Sequence, residues 1–123
     1  MTDPARLPVL TSKGALRVFI ALLLSRSSSD RPGYRPLWQE DMVLIRATSL
    51  PEGKARAKAR GERAQTSYAN ESGETITWTF DRVVDIAEAL EDDLSGDADL
   101  YSRAFRNYQA YADFEPMLNG ELE

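Results

Sequence analysis

The chain is 123 residues long, which is the size of a single domain that can bury one core without crosslinks. It contains no cysteine and no histidine, so disulfides, thiolate metal sites and the usual histidine-based catalytic sites are excluded. A site for magnesium or calcium made of carboxylates alone stays open. The formal net charge of -5 argues weakly against nucleic acid as the main partner.

The charges are unevenly distributed along the chain. Residues 54–63 carry five basic side chains against one acid, Glu62, whereas residues 85–99 carry seven acids and no base. The basic segment suits an anionic partner, and the acidic one suits a cation, a basic partner or simply a solvated loop. The acids do not have the spacing of a twelve-residue calcium loop, so we expect neither a metal site nor a cofactor.

The first part of the chain is predicted to be an arm followed by a strand. Residues 1–14 contain Pro4 and Pro8 and show no periodicity, which is typical of a flexible arm. Residues 15–24 are predicted to form the first strand, because they are apolar on both faces after Arg17. The apolar run from Val18 to Leu24 also resembles part of a secretion signal, but it is short and no small-residue cleavage site follows closely. We therefore expect a buried strand, no membrane partner and a cytoplasmic location.

A second strand is predicted at residues 37–48, after a loop of residues 25–36 that contains Pro32-Gly33. The two strands are expected to pair in an antiparallel hairpin. The centre of the second strand, Met42 to Ile45, is predicted to be buried on both faces. Trp38, Glu40 and Arg46 share one face of this strand.

A helix is predicted from Ser49 to about Ala69, because Ser49 and Glu52 have the spacing of a capping box and Pro51 lies in the first turn. Helical periodicity gives it an inward stripe of mostly small residues, which would let it lie close to a sheet: Leu50, Ala57, Gly61, Ala64 and Tyr68. Arg56, Arg60 and Arg63 fall on a different flank. They form either a solvated helix face or a surface for phosphates or an acidic partner.

A third strand is predicted at residues 75–86, with a threonine-rich outer face and an alternating inner face: Ile76, Trp78, Phe80, Val84 and Ile86. Arg82 and Val83 interrupt the alternation and predict a bulge. After it we expect a helical turn at 87–90, an acidic loop at 91–99, a short fourth strand or lead-in at 100–103, a helix at 104–118 and a frayed tail at 119–123. The element order β-β-α-β-β-α predicts a single α+β domain over 15–118, with a small antiparallel sheet and a helix packed on one face.

Several blocks of this sequence resemble a known family. They are Leu37-Trp38-x-Glu40-x-Met42 to Ala47, Tyr68-x-Asn70 with Gly73-Glu74-x-Ile76-x-Trp78-x-Phe80, Val84 to Ile86, and Tyr101-Ser102-Arg103. Together they are similar to the small bacterial family known as domain of unknown function 4288, over about residues 15–105. The resemblance implies a shared fold and supplies no activity.

Two groups of residues are candidates for binding. Trp38, Glu40 and Arg46 could form a pocket for a planar or cationic ligand if Trp78 lies beside them. The favoured interpretation is that both tryptophans belong to the core and that Glu40 and Arg46 form solvated pairs, because tryptophan is usually well buried. Tyr101 and Arg103 offer a hydroxyl and a guanidinium, but no activating base accompanies Ser102, so we expect no catalysis. Arg103 is expected to pair with Glu40 or Asp85.

The leading functional hypothesis is a non-catalytic protein-interaction or homo-oligomerising module of a small bacterial protein, of adaptor, regulatory or immunity type. It would bind a protein, or a second copy of itself, through a sheet edge or the final aromatic helix. One alternative is nucleic-acid binding through Arg56, Arg60 and Arg63. The other is a small-ligand pocket between Trp38 and Trp78.

Overall fold

The computed structural model describes residues 15–115. Within them lie four strands and two helices: β1 (Arg17–Ser29), β2 (Trp38–Ala47), α1 (Leu50–Arg63), β3 (Thr66–Ala69), β4 (Thr75–Glu88) and α2 (Tyr108–Phe114). The strands form one antiparallel sheet in the order β2-β1-β4-β3. The α+β class and the order β-β-α-β-β-α are confirmed. The predicted arm at 1–14 and tail at 119–123 lie outside the described residues.

The central strand β1 extends five residues further than its apolar run predicted. Val18 to Leu23 are buried because β1 has a paired strand on each side. Ser25 to Ser29 continue the pairing with β4, so the first part of the predicted loop is wrong. Ser27 is fully buried, and its Oγ accepts the Leu37 N–H (2.8 Å) and lies 2.7 Å from the Tyr34 hydroxyl. These hydrogen bonds allow a serine where the sequence indicated a turn.

Helix α1 begins with the expected cap. The Glu52 N–H donates to the Ser49 Oγ (3.2 Å), while the Glu52 carboxylate accepts the N–H and the hydroxyl of Thr48, both at 2.6 Å. The two hydrogen bonds from Thr48 lower the pKa of Glu52 below its usual value. The helix ends at Arg63 rather than Ala69, because the next residues form β3 and pair with β4. The β-branched Thr66 and the aromatic Tyr68 favour that strand over a longer helix.

The helix lies on the sheet through its small residues. Gly53, Ala57 and Gly61 are buried on its inner side. A side chain at Gly53 would meet Phe19 and Ile86, and one at Gly61 would meet Phe80, whose partner on β1 is Ser25. The helix therefore runs in the direction of β1 and opposite to β2.

The rest of the predicted inner stripe is wrong. Ala64 follows the last helical residue and is exposed, and Tyr68 belongs to β3 with 49% of its surface exposed. Leu50 is 39% exposed, so it does not anchor the first turn in the core. The inner face is made by the glycine and alanine side of the helix alone.

Strand β4 carries two bulges, at Asp81 and Val84, which are skipped in its pairing with β1. The irregularity predicted at Arg82 and Val83 is therefore present in this part of the strand, but the bulges lie on either side of these two residues, which pair with Leu24 and Leu23. Val83 packs against the core and Val84 is exposed, the reverse of the predicted inner face. The strand also runs on to Glu88, so the helical turn predicted at 87–90 is wrong.

The segment after β4 contains no strand in the described residues; the short fourth strand is β3 rather than residues 100–103. Two backbone hydrogen bonds close the acidic loop on itself, from Leu90 to Leu100 and from Glu91 to Asp99. Helix α2 is shorter than predicted and has no buried residue, although Tyr111 stacks on Phe105 at 4.8 Å between ring centres. Neither α1 nor α2 is long and apolar enough to cross a membrane.

Candidate functional site

Strand β2 forms one edge of the sheet. Within residues 15–115 its only paired neighbour is β1, so its other side presents backbone groups without a strand partner. The Ser27 N–H donates to the Leu37 carbonyl (2.9 Å), and antiparallel pairing alternates from there along the strand. The backbone groups that point away from the sheet are therefore those of the even-numbered residues: Trp38, Glu40, Met42, Leu44 and Arg46.

The side chains of the same five residues lie on the sheet face away from α1. Ile45 and Ala47, which alternate with them, pack in the core under the helix. Trp38 and Met42 are 51% and 58% exposed, so the prediction that Met42 to Ile45 are buried on both faces is wrong. An edge strand has a neighbour on one side only, and the sequence pattern does not show which strand will be at the edge.

The exposed residues of β2 have a symmetric order. Glu40 and Arg46 lie at equal distances in sequence on either side of Val43, and the apolar Met42 and Leu44 lie between them. Neither Glu40 nor Arg46 forms an ion pair within the part of the chain that the structure describes. This surface, from Trp38 to Arg46, is called the β2 edge below.

The structure separates the two tryptophans. Trp38 pairs with Arg26 and Trp78 pairs with Ser27, and neighbouring residues of β1 point to opposite faces. The Arg26 guanidinium lies over the Trp38 ring at 5.7 Å, while Trp78 is half-buried on the side of α1. Trp38 and Trp78 therefore cannot line one pocket, which removes the geometry behind the small-ligand hypothesis.

Tyr101 and Arg103 fasten the segment after β4 to the sheet. The Tyr101 hydroxyl donates to the Asp85 carboxylate, and the Arg103 Nε donates to the Tyr101 oxygen (2.9 Å) and lies 4.0 Å from Asp85. Burial and, next, the hydrogen bond with Asp85 raise the pKa of Tyr101. Of the two partners expected for Arg103, the structure gives Asp85. Both side chains have structural partners, and neither forms a hydrogen bond or an ion pair with a residue of β2.

The arginines of α1 line a groove beside the β2 edge. Its volume is 350 Å³, and its lining comes from one strand and one helix flank: Leu44, Ile45, Arg46, Arg56, Ala59, Arg60 and Arg63. The structure thus brings together the three helix arginines that the periodicity grouped. None of these three forms an ion pair with a described residue. We call Arg56, Arg60 and Arg63 the arginine flank.

A second groove of 570 Å³, on the opposite flank of α1, was missed in the sequence. Lys54 and Lys58 border it, and Phe80, Val83 and Ile86 contribute apolar surface. The signal in the sequence that could have indicated this groove was the helical spacing of Lys54 and Lys58. The two acids that line the groove already have partners, since Asp81 pairs with Arg82 and Asp85 binds Tyr101.

The acidic loop shows no metal-binding geometry. No group of three carboxylates within residues 15–115 is placed to hold a metal ion. Asp93 instead accepts the N–H and the hydroxyl of Ser95, and these hydrogen bonds lower the pKa of Asp93. The loop is ordered by local turns of the kind that serine and aspartate favour.

Over residues 15–115 the architecture is that of a small α+β domain with one helix packed on a four-stranded antiparallel sheet. The family model described as a domain of unknown function (DUF4288) matches residues 18–102, and the chain belongs to that family. No curated protein and no solved structure matches the chain.

Proposed function

We propose that this domain is a non-catalytic homo-oligomerising module, in which the β2 edge pairs with the β2 edge of a second copy. The observation that carries the proposal is the placement of Glu40 and Arg46 on either side of Val43, on a strand whose outer side has no described partner. A two-fold axis makes the same patch contact itself, so the patch must be complementary to its own reversed order. The β2 edge has that property.

The pairing follows from the strand geometry. With the two-fold axis at Val43, antiparallel pairing sets Glu40 of one copy opposite Arg46 of the other, and Met42 opposite Leu44. All of these residues have outward-pointing backbone groups, so each facing pair can exchange two backbone hydrogen bonds. The result is one continuous sheet across both copies, with an apolar centre between two ion pairs.

The charges select this register over its neighbours. An axis at Met42 would set Glu40 opposite Leu44, and an axis at Leu44 would set Arg46 opposite Met42. In both cases neither Glu40 nor Arg46 faces an opposite charge, so the two ion pairs are lost. Opposite charges on facing strands contribute about 0.2–1 kcal/mol per pair, and like charges cost a similar amount.

The exposure of the edge supports the same proposal. Trp38 and Met42 expose more than half of their surface on a strand that could accept another strand. Long, open edges are aggregation hazards that proteins usually shield with charged side chains, proline or a bulge. Trp38–Ala47 contains no proline and no bulge, and the charges of Glu40 and Arg46 complement each other across the proposed two-fold axis.

Charge reversal tests the proposal. Glu40→Arg would place two arginines opposite each other at both ends of the seam, and Arg46→Glu would do the same with two glutamates. Each single variant loses two attractions and gains two repulsions, about 2 kcal/mol in total, which weakens the dimer roughly 30-fold. The double variant Glu40→Arg with Arg46→Glu restores both pairs, and Glu71→Arg, in an exposed turn, is the matched control.

Sedimentation velocity over a range of concentrations gives the readout. We expect a dimer for the wild type, the double variant and the control, and a shift toward monomer for both single variants. A wild type that stays monomeric at high micromolar concentration would contradict the proposal. So would a double variant that dimerises no better than the single ones.

We further propose that the module acts in the bacterial cytoplasm as an adaptor or regulatory protein. The apolar residues that resemble part of a secretion signal, Val18 to Leu24, lie in the central strand of the sheet. A fusion with an enzyme that is active only in the cytoplasm, assayed in cells, tests the location.

A further inference from the structure

The arginine flank stands beside the β2 edge, so pairing through that edge brings two arginine flanks toward each other. Helix α1 lies over β4, β1 and β2, and its arginine flank faces the β2 side. In the proposed dimer both helices lie on the same face of the continuous sheet. The seam between them becomes the floor of a trough, and each wall carries Arg56, Arg60 and Arg63. This inference rests on the proposed dimer.

The trough is narrow. Strands in a sheet are about 4.8 Å apart, so a helix axis above β1 or between β1 and β4 lies about 7–10 Å from the two-fold axis. The two helix axes are then about 14–19 Å apart, and helices with side chains are about 10 Å wide. The remaining gap of about 4–9 Å admits one extended chain, whereas a double helix could touch only the tops of the walls.

The trough has an excess of positive charge. Its walls carry six guanidinium groups and, one turn before Arg56, the Glu52 carboxylate of each copy, which accepts hydrogen bonds from Thr48. Its floor carries the Asp41 carboxylate of each copy, on the α1 side of β2 and close to Gln39. Along the helix, Arg56 and Arg60 are about 6 Å apart, close to the spacing of every second phosphate in a stacked strand, about 6.8 Å. Guanidinium groups bind phosphate oxygens through paired hydrogen bonds.

We propose that the trough binds the phosphate backbone of single-stranded nucleic acid. An acidic peptide is the less favoured occupant, because peptides bind sheet domains most readily as an added strand, and the dimer has already used the β2 edge. The acidic loop does not oppose the binding directly, since it follows β4 and lies outside the groove lining. The overall charge of -5 therefore does not decide the question, because only local charge acts at salt-screened distances.

Salt dependence distinguishes the trough from a single flank. The logarithm of the binding constant for single strands falls by about 0.7 per phosphate contact for each decade of salt. Six contacts predict a slope of about -4 and a loss of roughly 300-fold between 50 and 200 mM salt, and three contacts a slope of about -2 and a loss of roughly 20-fold.

The experiment measures fluorescence anisotropy of a labelled single-stranded oligonucleotide with the full chain, while sedimentation reports the assembly of the same samples. The test variant is Arg56→Gln, Arg60→Gln, Arg63→Gln. The matched control is Lys54→Gln, Lys58→Gln on the opposite flank, where the one ion pair affected among residues 15–115 is the 3.9 Å contact of Lys58 with Glu62. Double-stranded DNA and a poly-glutamate peptide are the competing probes.

The expected result is a dimeric wild type that binds the single strand with a slope near -4, a triple variant that stays dimeric but binds at least 30-fold more weakly, and an unchanged control. A dimer that binds no oligonucleotide would overturn this inference and leave the proposed dimer standing. A monomer that binds with a slope near -2 would overturn both. Equal binding of duplex or preferred binding of poly-glutamate would overturn the choice of a single strand.

Discussion

Two buried glycines in the same helix give a sharp test of how α1 lies on the sheet. A methyl group at Gly61 would overlap the Phe80 ring, with the ring Cγ at 2.9 Å and two further ring carbons closer still. A methyl group at Gly53 would lie 3.3 Å from the Ile86 Cδ1 and 3.5 Å from the Phe19 ring. The first contact requires a rigid ring to move, whereas the second requires a small shift of a flexible side-chain end.

The expected free energies of unfolding follow from two opposing effects. Glycine to alanine inside a helix contributes about 1 kcal/mol of stability through helix propensity. Overpacking a core costs typically 1–3 kcal/mol, and the ring overlap at Gly61 belongs to the upper part of that range. Gly61→Ala should therefore destabilise the domain by about 1–2 kcal/mol. Gly53→Ala should be neutral or stabilise it by about 0.5 kcal/mol, since little overpacking opposes the propensity gain.

Urea denaturation of both variants at one fixed protein concentration gives the comparison, because an assembling protein unfolds in a concentration-dependent way. The two variants should differ by about 2 kcal/mol, although the substitution is chemically identical. Replacing Phe80 by leucine should cost less in the Gly61→Ala background than in the wild type, because the smaller side chain relieves the overlap. If Gly61→Ala is as stable as Gly53→Ala, the close packing of α1 on β4 is wrong.

Three further predictions concern the sheet and its connections. Ser27→Ala should destabilise the domain by about 1–3 kcal/mol, because it leaves the Leu37 N–H without its side-chain acceptor. Thermal unfolding measures this loss of stability, and an unchanged midpoint temperature would contradict the prediction. The free energy of unfolding should fall in acid, because hydrogen bonds from Arg17 lower the pKa of Glu88. The stability that this pair contributes is fully present above pH 4.5, the ordinary glutamate pKa, and is lost as the pH falls through the lowered pKa of Glu88. In Glu88→Gln that part of the pH dependence should be absent in urea titrations. Tyr101→Phe should speed amide hydrogen exchange in residues 89–105 while leaving β1 protected, and equal exchange in both proteins would show that this hydroxyl does not hold the segment.

The long-range order of the fold could be predicted because each main element has a strong local signal. The apolar run of β1, the Ser49 and Glu52 cap of α1 and the alternation at the start of β4 gave the α+β class and the antiparallel hairpin. The ends of elements were less predictable. Residues 64–69 continue a helical pattern of small residues, yet pairing with β4 turns the last four into a strand.

The candidate site could be predicted only within single elements. Periodicity correctly placed Glu40 and Arg46 on one face of β2, and it grouped the arginine flank. It could not show that β2 is an edge strand or that Trp38 and Trp78 lie on opposite faces, because both facts depend on strand order and register. Those are properties of pairing between distant parts of the chain, and alternation within one strand carries no information about them.

The two bulges of β4 have a consequence for how this strand can change in length. One additional residue turns every later side chain to the other side of the sheet, and a second one turns them back. Ile86, beyond both Asp81 and Val84, thus packs against the same core as Phe80, before them. Deleting either bulge residue alone would send Ile86 to the wrong side or Phe80 away from α1, whereas deleting both would keep each in place. Insertions and deletions in this strand should be tolerated in twos and rejected singly.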